Sequence, residues 1–134
     1  MEDLLNLAKK AKSNSYCPIS NYQVGAVLVC KNNNVYLGTN IEDSSMQAGS
    51  CAERTAFYSA ITNGDHEFSK LILIGGFMNK SLDKITPCGT CRQLISEFCN
   101  ENFEIINYYE ENNSIKIASY KLSDLLPYSF NLDI

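Results

Sequence analysis

Cys51-Ala52-Glu53 and Pro87-Cys88-Gly89-Thr90-Cys91 combine thiols, a carboxylate and helix-start signals at spacings that suit a metal-assisted reaction. The second segment places two thiols at i and i+3 on the first turn of a helix, so both sulfurs can face one point. A C-x-x-C pair alone serves equally as a zinc half-site or as a redox couple. A redox couple leaves Cys51 and Glu53 without a role. Three sulfurs with one open position is the arrangement of a catalytic zinc, whereas structural zinc normally takes four protein ligands.

Two plainer readings stand beside this one. A four-cysteine structural site would need a fourth thiol from Cys17, Cys30 or Cys99. None of these lies in a second paired knuckle, and buried free cysteines commonly act as small apolar side chains. Ser50-Cys51-Ala52-Glu53 also matches the S-x-x-E capping box, in which the glutamate only caps a helix start. Spacing alone favours the cap; the adjacent thiol shifts the balance, because a carboxylate two residues past a ligand can reach a metal-bound water. Three thiolates on a divalent ion carry net negative charge. Two helix N-termini would offset it, and Arg54 and Arg92, one beside each segment, could donate hydrogen bonds to the sulfurs.

The elements that must position these residues are legible from periodicity. Leu4, Leu5, Leu7, Ala8 and Ala11 recur at helical spacing and predict a helix over 2–14. Residues 22–30 and 35–41 read as a hairpin around Asn32-Asn33-Asn34, and 51–62 as a helix ended by Asn63-Gly64. The apolar run 71–74 reads as a strand covered on both faces. A helix over 89–99, strands near 103–109 and 115–120, and a short helix over 123–126 follow. Interleaved helices and strands predict an α/β fold: a three-layer α-β-α sandwich around a central mixed five-stranded sheet, in one domain, 1–134.

Composition excludes several classes. A chain of 134 residues that is 45% hydrophobic suits one folded domain with one core. A net charge of -4 disfavours a nucleic-acid partner, and the cluster Lys9, Lys10, Lys12 is short enough to be a solvated helix face. The longest apolar stretch, 71–78, contains two glycines and is too short to span a bilayer. Met1-Glu2-Asp3 is acidic where a signal peptide has a basic region, so a cytoplasmic location is expected, with six cysteines as thiols or ligands.

The two segments resemble the cytidine deaminase family, whose signature is [H/C]-A-E followed by P-C-x-x-C and whose zinc site is served by a glutamate that is not a ligand. The likeness extends to Ser20-Asn21-Tyr22-Gln23-Val24-Gly25-Ala26, to Asn40-Ile41-Glu42, to Cys51 through Ala56, to Pro87 through Gln93 and to Leu125-Leu126-Pro127-Tyr128-Ser129-Phe130. The resemblance implies one zinc per subunit on Cys51, Cys88 and Cys91, with water in the fourth place. It implies attack at C4 of a free cytidine or 2′-deoxycytidine, with Glu53 shuttling protons and uridine or 2′-deoxyuridine plus ammonia as products. Asn40 and Glu42 would hold the ribose and Tyr22 would stack on the base, where relatives usually have Phe. The Ala52 N–H would contact the ring carbonyl and the Thr86 carbonyl the amino group. Phe130 would reach a neighbouring subunit's site, implying a homotetramer. Ile19 and Met46 depart from the family's aromatics, which bears on affinity and subunit packing. The implied role is pyrimidine salvage.

Overall fold

The structure, a computed structural model, describes residues 3–132; Glu2, expected to open the first helix, lies outside them, as do Met1 and the last two residues. Helix α1 (Leu4–Ser13) starts where the Asp3 carboxylate accepts the Leu5 N–H at 3.0 Å. Lys10 and Lys12 occupy its last turn, where cations meet the negative end of the helix dipole. Strands β1 (Tyr22–Cys30) and β2 (Val35–Thr39) form the expected hairpin. Helix α2 (Ala52–Thr62) ends at Asn63, and Gly64 takes the left-handed φ of +93° that glycine tolerates best. Then come β3 (Phe68–Phe77), α3 (Gly89–Phe98), β4 (Glu104–Glu111), β5 (Ser114–Lys121) and α4 (Leu122–Leu125).

The sheet order is β2-β1-β3-β4-β5, parallel only between β3 and β4, where α3 makes the crossover. Alternation along the strands sorts side chains between two layers. Val27, Val29, Ile72 and Ile74 face α1. Ala26, Leu28, Leu71, Leu73 and Ile105 face α2 and α3. There Phe57 packs edge-on to Phe68 at 5.0 Å between ring centres. The mixed five-stranded α/β sandwich is therefore as the sequence predicts.

Several boundaries differ from the expected ones, and three regions show a local reason. β3 is longer than its apolar run because it pairs with β1 from Tyr22↔Phe77 to Cys30↔Phe68, so backbone pairing extends past the run at both ends. β2 stops at Thr39 rather than at 41, since the Asn40 side chain takes over the bonding to β1. β4 and β5 meet in a tight turn at Asn112 and Asn113, both at positive φ, a geometry that suits the twist of a hairpin. Gly38 on β2 sets the seat of α2: a Cβ there would lie 2.0 Å from the Ala52 carbonyl oxygen.

Candidate active site

Both cysteine segments are loop-to-helix junctions. Cys51 is the N-cap of α2 and Cys88 the N-cap of α3, each in extended backbone and neither using its side chain as a cap. The sulfurs are therefore free to turn inward, beside the N–H-rich ends of two helices. Cys91, one turn into α3, is fully buried. The Cys51 and Cys88 sulfurs lie 3.8 Å apart and those of Cys88 and Cys91 3.5 Å apart; all three fall within 4.8 Å of one another. Tetrahedral zinc with Zn–S bonds of about 2.3 Å sets its sulfurs roughly 3.8 Å apart. The cluster fits that ion as it stands.

No fourth sulfur, histidine or carboxylate joins the cluster among the described residues. Cys30 sits in the core beneath α2 and α3, Cys99 packs against that core, and Cys17 is buried elsewhere. The four-cysteine alternative has no fourth ligand.

Charge is arranged around the sulfurs. Hydrogen bonding from Cys91, helped by Cys88 and Arg54, pulls the Cys51 thiol down to about 5, although burial opposes it. Cys91 is pushed up by the same bond and by burial. Three thiols gathered beside a guanidinium and two helix N-termini suit a soft divalent cation. The Arg54 Nη2 donates to the Cys51 sulfur at 3.9 Å. Arg92, expected to do the same, does not reach a sulfur. Its fork is filled by the Pro87 carbonyl at 2.6 Å, the Leu125 carbonyl at 2.7 Å and the Thr86 hydroxyl at 2.8 Å. It braces the backbone that carries Cys88.

Glu53 is 5% exposed and lies in the first turn of α2. The capping box is not formed: the Ser50 hydroxyl donates to the Cys51 carbonyl instead. Burial, reinforced by the negative charge at Cys51, raises the Glu53 carboxyl to about 7, while its own backbone N–H and Arg54 pull the other way. A carboxyl poised near neutrality beside the three-cysteine cluster can both take and give a proton.

Cys51, Cys88 and Glu53 open into a cavity of about 520 Å³, within the range of small-molecule sites. Tyr22, Asn40, Glu42, Ala52, Arg54 and Thr86 all line it. Phe130 does not; its side chain is exposed, and its carbonyl accepts from the Gln93 amide at 2.5 Å. Asn40 has little freedom. Its Oδ1 accepts from the Val24 N–H at 2.8 Å and the Ser15 hydroxyl at 2.5 Å, while Nδ2 donates to the Tyr22 carbonyl at 2.8 Å. One amide N–H remains open. Glu42 accepts from the Ile19 N–H at 2.9 Å, the Ser20 N–H at 3.1 Å and the Ser20 hydroxyl at 2.5 Å. The Ser20 hydroxyl, followed by the backbone donors, holds the Glu42 carboxyl below its usual value, so it stays an acceptor.

The Tyr22 ring meets Phe77 edge-on at 4.9 Å and its hydroxyl donates to Asp83 at 3.0 Å; burial and Asp83 push the phenol up, keeping it neutral. Sequence reasoning did not single out Asp83, Ser15 or Asn107. Asn107 had a signal, a polar residue directly after Ile105-Ile106 in a strand, whereas Asp83 and Ser15 sit in loops with no pattern to mark them.

Residues 1–106 match the pattern described as the cytidine and deoxycytidylate deaminase zinc-binding region. The chain belongs to this deaminase family. It is 36% identical over 131 residues to a cytidine deaminase of Sporosarcina psychrophila, covering 98% of this chain and 91% of that protein. A crystal structure of cytidine deaminase from Burkholderia pseudomallei superposes with a TM-score of 0.78 at 33% identity, over 97% of this chain and all of that one. A blasticidin-S deaminase of Bacillus cereus is 27% identical over 113 residues, covering 81% and 77% of the two chains. The deaminase fold thus carries a three-cysteine cluster positioned to hold the family's zinc ion. None of its helices, among the described residues, is long and apolar enough to cross a membrane.

Proposed function

We propose that this deaminase hydrolyses free cytidine and 2′-deoxycytidine to uridine and 2′-deoxyuridine, releasing ammonia, in cytoplasmic pyrimidine salvage. The observation that carries the reading is the buried Glu53 carboxyl, in one cavity with the Cys51 and Cys88 sulfurs of the three-cysteine cluster. Zinc on Cys51, Cys88 and Cys91 supplies, when bound, Lewis acidity that makes water nucleophilic near pH 7.

The chain's own groups do the rest. Glu53 takes a proton from water as oxygen adds to C4 and delivers it to N3. It then carries a second proton from the C4 hydroxyl to the amine, which leaves as ammonia. Arg54 offsets the charge of Cys51. The Ala52 N–H contacts the ring carbonyl, the Thr86 carbonyl accepts from the amino group, and Tyr22 lies against the base. With its acceptor filled, Asn40 can only donate, and Glu42 can only accept. A sugar hydroxyl, which both accepts and donates, matches that pair.

Glu42 and Asp43 line the sugar end, and the cation lining the cavity, among the described residues, is Arg54 beside Cys51. That charge distribution favours a nucleoside over its phosphate and over a nucleic-acid strand. Exposed Phe130, with Ile41 and Met46 on the cavity wall, supports a homotetramer in which Phe130 completes a neighbouring site. The test is a panel of cytidine, deoxycytidine, cytidine monophosphate and blasticidin S, followed by absorbance with zinc measured on the same sample. Turnover of the first two alone is expected. Preference for blasticidin S would transfer the assignment to the antibiotic, and preference for the monophosphate would transfer it to the nucleotide.

A further inference from the structure

Asn107 is a fully buried side chain on β4, in register with Leu73 of β3. An amide taken out of water in the middle of a sheet is costly unless every group is paired, and an aliphatic residue there would avoid the cost. Asn107 meets it with bonds on two sides. Nδ2 donates to the Leu73 carbonyl at 3.0 Å and to the Tyr108 carbonyl at 3.2 Å, while Oδ1 accepts the Ile85 N–H at 3.0 Å. The first two bonds stay within the sheet. The third leaves it.

Ile85 belongs to segment 78–88, which has no helix or strand and supplies Ile85, Thr86 and Cys88 to the cavity wall. Other fastenings come earlier in the segment: Asp83 N–H to the Gly75 carbonyl at 2.7 Å, and Leu82 N–H to the Glu110 carboxylate at 2.9 Å. Beyond Ile85 the next holds are those of Arg92 on the Thr86 hydroxyl and the Pro87 carbonyl. Thr86 is therefore clamped between the Asn107 amide on the sheet side and the Arg92 guanidinium on the helix side. Pro87 adds to this by restricting Thr86 to extended backbone.

We infer that Asn107 is a positioning residue for substrate recognition: its bond to the Ile85 N–H places the Thr86 carbonyl where the substrate's exocyclic amino group is read. This rests on the nucleoside reading above and adds to it a residue that touches neither metal nor substrate. The expected effect is selective. Misplacing the Thr86 carbonyl weakens ligands that carry the amino group and spares those that lack it.

The experiment compares wild type with Asn107→Leu, Asn107→Ser and Asn107→Asp, as the zinc-loaded full chain. Leu removes all three bonds. Ser keeps a hydroxyl for the strand but is too short to reach Ile85, so it stands in should the Leu variant fail to fold. Asp, protonated at so buried a position, keeps both an acceptor and a donor. Each is assayed for cytidine turnover and for inhibition by the riboside of pyrimidin-2-one, which has no amino group. The Leu and Ser variants are expected to lose about tenfold or more in kcat/KM for cytidine, mostly in KM, while the inhibition constant moves by less than about threefold. The Asp variant is expected to recover most of that loss. Equal losses for both ligands, or no loss at all, would overturn the inference alone. A wild type that turns over no cytidine would overturn the substrate reading, and this inference with it.

Discussion

Gly38→Ala tests whether the seat of α2 governs the site. The added Cβ would lie 2.0 Å from the Ala52 carbonyl oxygen, 2.7 Å from the Ala56 backbone nitrogen and 2.9 Å from the Ala56 Cβ. All three are parts of α2 that no rotamer change can move. Restoring even 3.0 Å to the first contact requires α2 to retreat by about 1 Å, the difference between 3.0 Å and the 2.0 Å separation. Cys51 caps that helix and Glu53 lies in its first turn, so both move with it, while Cys88 and Cys91 stay on α3. The 3.8 Å spacing of the Cys51 and Cys88 sulfurs then opens. A displacement of this size at a reacting centre costs about a hundredfold in rate, and overpacking a tight contact costs about 1–3 kcal/mol of stability. The assay is kcat/KM for cytidine with zinc content and a urea melt on the same preparation. The expected result is about a hundredfold loss of activity, weakened zinc retention and a midpoint shifted to lower urea. Unchanged activity with an unchanged midpoint would refute the reasoning, since α2 would then have absorbed the methyl without moving the site.

Arg54→Gln leaves the charge on Cys51 without its cation, and activity or zinc affinity should fall about 10–100-fold, measured by kcat and by competition with a chelator. Ser20→Ala removes the hydroxyl that contributes most to holding the Glu42 carboxyl low. A depressed carboxyl binds the sugar above its pKa and loses that role as pH falls through it. The variant's KM should therefore begin to rise at a higher pH than the wild type's, and superimposable profiles would contradict the role of Ser20. Phe130→Ala should raise KM roughly five- to a hundredfold, as expected for loss of an aromatic contact of about 1–3 kcal/mol to a base. Sedimentation should at the same time report whether four copies remain together.

The chemistry was more legible than the scaffold that holds it. Cys88 and Cys91 share the first turn of one helix, where local sequence sets their geometry, whereas Cys51 starts another helix and was joined to them by the chemistry of a three-ligand site and by the family resemblance. Glu53 was ambiguous because S-x-x-E has two uses, and only the direction taken by the Ser50 hydroxyl decides between them. Arg92 turns away from the sulfurs it could have met, since adjacency to Cys91 says nothing about which way a long side chain turns. Its partners at Pro87, Thr86 and Leu125 include one on the distant α4. The end of β2 was misplaced for a similar reason: Asn40 substitutes side-chain for backbone bonding, which no periodicity records. Asn107 and Asp83 act across long sequence separations, bonding to Ile85 and Tyr22, and such pairings appear only once the sheet is assembled.

Glu53→Gln, assayed for cytidine turnover and for zinc on the same sample, tests the central claim most directly. The amide keeps the shape of the side chain and cannot shuttle protons, so kcat should fall by at least about a hundred- to ten-thousandfold while zinc stays near one per chain. Activity within a few-fold of wild type, or loss of the zinc, would contradict a proton-carrying carboxyl beside an independent three-cysteine site.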